Sequence, residues 1–127
     1  MAELYHYRCR MLRVVDGDTF DVELDLGFHV KMERRARMLG YNSPEIFGGH
    51  FKTPMERELG LACKTRLEAL LKAEGLIVRT ELDSSDKYGR ILVEVISAGT
   101  SINPMLREEA NSAWSKLRQA YPAIYKA

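Results

Sequence analysis

The sequence predicts an α+β fold: a five-stranded Greek-key β-barrel of the OB type with two to three helices packed on it. Three observations predict it. Strand-like patterns fill the first part of the chain. A well-signposted amphipathic helix follows a Pro- and Gly-rich loop. Two further short strands precede a second helix. That order lacks the βα alternation of a doubly wound fold. The 127 residues make one domain, 1–127, long enough for a core without covalent staples.

The first strand is expected from Tyr5 to Val15, with its alternation blurred by Arg8, Arg10 and Arg13. From Thr19 to Leu26 the pattern is clearest: Phe20, Val22, Leu24 and Leu26 alternate with Asp21, Glu23 and Asp25, the period of a half-buried strand. Gly27 marks a turn, and Phe28 to Leu39 reads as a third strand completing an antiparallel meander. "YNSPEIFGGHFKTP" is a loop, broken by prolines and glycines. Thr53 then serves as N-cap, Pro54 as the first helical residue and Glu56 as the capping-box acid. Met55, Leu59, Ala62, Cys63, Leu67, Leu70 and Leu71 follow at helical spacing, and Gly75 ends the helix. Strands are expected over Leu76–Leu82 and Ile91–Ile96, and a short second helix from Ile102 to about Ala110. The remaining residues form either a small helix or irregular structure near Pro122.

Composition narrows the function classes. The chain is 46% apolar and 29% charged with a net charge of +1, so any nucleic-acid contact needs a local basic groove. Cys9 and Cys63 make no disulfide framework and read as free thiols. His6, His29 and His50 lack partners at zinc-ligand spacing. "MAELYHYRCRMLRVV" holds no signal-peptide stretch and no segment could span a membrane, so a cytoplasmic protein is expected, or a secreted one if the chain is a trimmed mature form.

Three short stretches could carry chemistry. In "VVDGDTFDVELDLGF", Asp18 falls on the same parity as Phe20, Val22 and Leu24. A carboxylate aimed along a core-facing side is costly unless it is paired or bound to a cation. The plain structural alternative is a carboxylate capping its own Asp-Gly turn. An EF-hand is excluded, because Phe20 and Asp21 occupy the positions of its third ligand and its glycine. In "RARMLGYNSPEI", Arg37 ends a strand and Asn42, Ser43 and Glu45 follow around Pro44, oxygen groups that suit a hard divalent cation. Pro44 restrains Ser43 to extended geometry. An ordinary turn or helix start is the alternative. In "DKYGR", Lys87, Tyr88 and Arg90 surround Gly89. They suit a phosphate and base clamp, or simply an exposed hairpin.

Taken in order, "DGDT", R-x-x-x-x-N-S-P-E, an amphipathic helix, "DKYGR" and "INPML" resemble the staphylococcal nuclease (thermonuclease) family over roughly residues 8–114. The resemblance implies a five-stranded OB barrel with a Ca²⁺-dependent phosphodiesterase site at its rim. It implies an endonuclease acting on DNA and RNA, single-stranded or frayed regions preferred, leaving 3′-phosphate ends. By position, Asp18 matches the direct metal carboxylate and Asp16 an acid near the metal. Ser43 matches the residue whose carbonyl binds the ion, and Glu45 the glutamate associated with the attacking water. Arg37 and Arg90 match the arginines on the scissile phosphate, and Lys87 and Tyr88 match substrate-binding residues. A monomer is expected.

The chain departs from the family pattern in two places. Asn42 stands where the best-known member has a second metal aspartate, which implies weaker Ca²⁺ binding. Trp114 lies near the family's base-pocket tyrosines, where it either stacks a base or, the favoured reading, fills core beside the first helix. The competing reading is a catalytically weak or inactive OB module that binds nucleic acid or a protein partner.

Overall fold

The computed structural model describes residues 5–82 and 89–126. Its elements are β1 (His6–Asp16), β2 (Thr19–Asp25), β3 (Lys31–Met38), α1 (Pro54–Leu71), β4 (Ile77–Leu82), β5 (Ile91–Ser97), β6 (Thr100–Ser101) and α2 (Asn103–Ala120). The sheet runs β3-β2-β1-β4-β5-β6, and β3 also pairs with β5, in parallel. That pairing closes a five-stranded mixed barrel, on which the two helices pack. Among the described residues no helix is long and apolar enough to cross a membrane.

Alternation in β2 builds the core as expected: Phe20, Val22 and Leu24 are buried, while Asp21, Glu23 and Asp25 are partly exposed. Ala36 and Met38 meet them from β3, and Val78, Val93 and Val95 from β4 and β5. Each of these side chains other than Ala36 contributes about 1.5–3 kcal/mol by burial. The blurred pattern of β1 has a structural cause. Its register against β2 shifts between Met11 and Arg13 and again between Val14 and Asp16. Each extra residue reverses the parity of those that follow.

Four expectations need correcting. Phe28 does not begin the third strand. Gly27, Phe28 and His29 all have positive φ, so the chain turns there, and Phe28 is 99% exposed. Leu26 lies outside β2 and is exposed. The first helix stops at Leu71, with Lys72 as C-cap, rather than running to Gly75. The second helix does not stop near Ala110. Leu106, Ala110, Ala113 and Leu117 continue one buried stripe, which carries the helix to Ala120. Pro122 disfavours helical geometry at Tyr121, and the helix ends there. A short strand not expected from sequence, β6, follows a turn at Ala98 and Gly99, both with positive φ.

Asn103 ties α2 to the barrel. Its Oδ1 accepts from Val95 N (2.9 Å), and its Nδ2 donates to the carbonyls of Leu39 (2.8 Å) and Val93 (3.1 Å). One buried amide thus satisfies groups on β5 and on the segment leaving β3.

Candidate functional site

The β1–β2 turn, the end of β3, the loop 39–53 and the residue before β5 meet around an open polar hollow of about 570 Å³. Asp16, Asp18, Arg37, Asn42, Ser43, Glu45 and Arg90 all line it, joined by Thr19, Phe47, His50 and Trp114. The structure therefore brings together every sequence-predicted site residue that it describes. Lys87 and Tyr88 lie outside the described residues.

Strand pairing explains the convergence. Thr19 stands opposite Arg37 in the β2–β3 register, and Met38 N donates to the Asp18 carbonyl (2.8 Å). Arg37 thereby flanks the Asp-Gly-Asp turn. The parallel pairing sets Ala36 against Ile91, which draws Arg90 toward the strand carrying Arg37.

The turn itself is fixed from several sides. Asp16 Oδ1 accepts from Asp18 N (3.0 Å), and the buried Tyr41 hydroxyl donates to the Gly17 carbonyl (2.9 Å). A Cβ on Gly17 would meet Cys63 Cβ and Ser43 Cβ at 2.7 Å each, so only glycine fits. Asp18 does not cap its own turn. Its Oδ1 accepts from Thr19 Oγ1 (2.9 Å), and its Oδ2 accepts from Ser43 N (3.0 Å), far along the chain. Asp18 thus stitches the turn to the Asn42–Glu45 loop.

Charge here is crowded. Burial, reinforced by the hydrogen bond and charge of Asp18, pushes the Asp16 carboxyl up to about 7. Glu45 is pushed above the usual carboxylate range, first by burial and then by Asp18, with His50 and Arg37 opposing. Arg37 Nη2 donates to the Asn42 side-chain oxygen, so the amide expected to face a cation faces a guanidinium in this arrangement.

Asp16, Asp18, the Asn42 amide and the Ser43 carbonyl are all hard oxygen donors, the kind that Ca²⁺ takes. A cation would favour the ionised form of Asp16, which burial first and Asp18 second disfavour. Among the described residues no group of three His, Cys, Asp or Glu side chains converges to hold a metal. Two carboxylates, an amide and a carbonyl are the donor types such an ion takes, without forming a closed carboxylate cage among the described residues.

Trp114 differs from the favoured expectation. It borders the hollow half-buried, with its indole N–H donating to the Asn42 carbonyl (2.8 Å) and its ring 6.1 Å from that of Tyr125. Cys9 and Cys63 are free and half-buried. Sequence reasoning also missed the support beneath Glu45. The buried Glu56 carboxylate accepts from Glu45 N (3.0 Å) and Lys52 N (3.0 Å), rather than from the N-cap N–H of a capping box. Thr53 does cap α1, its Oγ1 accepting from Glu56 N (3.2 Å). Inside α1, a Cβ on Gly60 would lie 2.6 Å from the Pro44 carbonyl oxygen, so the helix packs directly on the Ser43–Glu45 segment.

No protein-family model matches the chain, and no curated protein matches it at a significant level.

Proposed function

We propose that the chain is a Ca²⁺-dependent endonuclease that hydrolyses phosphodiester bonds of DNA and RNA, single-stranded or frayed regions preferred, leaving 3′-phosphate ends. The observation that carries this reading is the convergence of Asp18, Arg37, Glu45 and Arg90 on one polar hollow. The motif order that resembles the staphylococcal nuclease family supports it, as does the circuit β3-β2-β1-β4-β5 closed by β3–β5, which fits an OB-type Greek-key barrel.

Asp18, with Asp16, the Asn42 amide and the Ser43 carbonyl, would hold the ion. When bound, Ca²⁺ supplies Lewis-acid polarisation of a phosphate oxygen and neutralises part of its charge. Arg37 and Arg90 donate hydrogen bonds to the equatorial phosphate oxygens, most strongly as charge builds in the transition state. Glu45 orients a water for in-line attack on phosphorus and accepts its proton. Its raised pKa makes it a better base than an ordinary surface carboxylate. The 5′ oxygen departs, taking a proton from solvent to leave as a hydroxyl, and the phosphate stays on the 3′ side. Phe47 and Trp114 offer apolar surface to a base beside the cut.

A second reading, a binding module without catalysis, draws support from the Arg37–Asn42 bond, which occupies the amide oxygen. Kinetics separate the two. Arg37→Ala and Glu45→Gln should each lower kcat by about 10²–10³-fold. Rates within a few-fold of the parent for both variants would remove these residues from the chemistry. Nucleic-acid binding with no cleavage by the parent would favour the module.

A further inference from the structure

We propose that Glu56 is a positioning residue: its buried carboxylate grips the backbone N–H groups at both ends of the Glu45–Lys52 loop and so sets where the Glu45 side chain stands. The inference rests on the nuclease reading for its catalytic consequence, but its structural half stands apart.

Glu56 is 2% exposed, although it lies in the first turn of an otherwise surface-facing helix end. A buried carboxylate needs several donors, and it has three. Oε2 accepts from Glu45 N (3.0 Å), while Oε1 accepts from Lys52 N (3.0 Å) and from the Tyr125 hydroxyl (2.8 Å). The Tyr125 hydroxyl in turn lies 2.7 Å from Thr53 Oγ1, also buried, so the Thr53 hydroxyl must donate to it. The loop spanning Ile46 to Phe51 carries exposed Phe47, Gly48, Gly49 and His50. Inside it, His50 N and Phe51 N donate short-range bonds to the Phe47 carbonyl. Pro44 and Ile46 on either side of Glu45 are buried, and the Glu56 carboxylate fixes the peptide between them. A displacement of about 1 Å at such a group can cost about 10²-fold in rate.

Glu56→Gln tests this sharply, because an amide can present only one oxygen. Placing that oxygen at the Oε1 position keeps the bonds from Lys52 N and Tyr125 and turns the NH₂ group against Glu45 N–H. The opposite flip keeps the bond from Glu45 N, lets the NH₂ group donate to Tyr125 with the Tyr125 and Thr53 hydroxyls reversed, and turns that NH₂ group against Lys52 N–H. Either way, the isosteric change releases one end of the loop, with little loss of packing.

Two measurements decide the matter. In the parent, amide hydrogen exchange should show Glu45 and Lys52 protected, with Gly48 and Gly49 exchanging freely. In Glu56→Gln, the protection of Glu45 or of Lys52 should fall at least about tenfold. With single-stranded DNA as substrate, kcat should fall about 10–100-fold with KM within about threefold of the parent, a split that general destabilisation below the melting temperature does not produce. A freely exchanging Glu45 amide in the parent overturns the proposal, whatever the variant does. So does a folded Glu56→Gln whose kcat, Glu45 protection and Lys52 protection all match the parent. An inactive parent sinks the nuclease reading alone, and the exchange pattern then judges the clamp.

Discussion

Replacing Gly60 by alanine should destabilise this protein, although the same change in an ordinary helix stabilises it by about 1 kcal/mol. Gly60 sits inside α1, fully enclosed, with Ile46 Cγ2 and the Pro44 carbonyl oxygen both 2.6 Å from where a Cβ would stand. The side chain of Ile46 can rotate away. The Pro44 carbonyl cannot, because the chain beside it is held by the Ser43 N to Asp18 and Glu45 N to Glu56 hydrogen bonds. The helix and the loop must part by several tenths of an ångström. Overpacking of this kind costs about 1–3 kcal/mol, and the upper end applies where backbone is the obstacle. After the propensity gain, a net loss of about 1–2 kcal/mol remains, or about 4–8 °C in melting temperature for a domain of this size. Urea unfolding of parent and Gly60→Ala measures it. The displaced segment carries Glu45, so kcat should fall about tenfold in the same variant. A Gly60→Ala protein as stable as the parent, or more so, would refute the close packing of α1 on the loop.

Four other outcomes are expected. Asn103→Ala leaves the Val95 N–H and two carbonyls without their buried partner, and chemical denaturation should show a loss of about 2–4 kcal/mol; a loss under 1 kcal/mol would mean that water or relaxation replaces the amide. The paired hydrogen bonds from Arg35 hold Asp21 below the usual carboxylate range, so its stabilisation is present at neutral pH and is lost as pH falls through the folded value. Because that pair is largely exposed, Asp21→Asn should cost no more than about 1 kcal/mol at neutral pH and nothing in strong acid; an equal cost at both extremes would assign the effect to packing. Asn42→Asp adds a carboxylate beside Asp18 and should lower the Ca²⁺ concentration for half-maximal activity several-fold, whereas an unchanged or higher value would place residue 42 outside the ion site. Burial pushes the Cys9 thiol up to about 11 and raises Cys63 as well, so iodoacetamide at mildly alkaline pH should label the folded protein far more slowly than the urea-unfolded chain.

The barrel strands and the start of α1 were legible because they obey local rules. Phe20, Val22 and Leu24 keep period two, and Thr53-Pro54 is a start signal that depends only on neighbouring residues. Asp18, Arg37, Asn42, Ser43, Glu45 and Arg90 were picked out by motif order, and strand pairing brings them around one hollow. What sequence hid was set by long-range contacts. The full length of α2 was written in the stripe Leu106, Ala110, Ala113 and Leu117, but polar residues between them masked it. Trp114 reaches the site only because the helix continues that far and aims its indole at the Asn42 carbonyl. Glu56 carried a visible signal as a capping-box acid, yet its real partners depend on how the Glu45–Lys52 loop folds over the helix start. The exposed Phe28 was misplaced because apolar character suggested a strand, where three consecutive positive φ angles make a turn.

Incubation of purified protein with plasmid, single-stranded DNA and RNA, in Ca²⁺ or in excess chelator, tests the central claim most directly. We predict fragments bearing 3′-phosphate ends in Ca²⁺, none in chelator, and loss of cleavage in Glu45→Gln. Cleavage that persists undiminished in chelator, or that Glu45→Gln leaves intact, would contradict an ion-assisted phosphodiesterase site in this hollow.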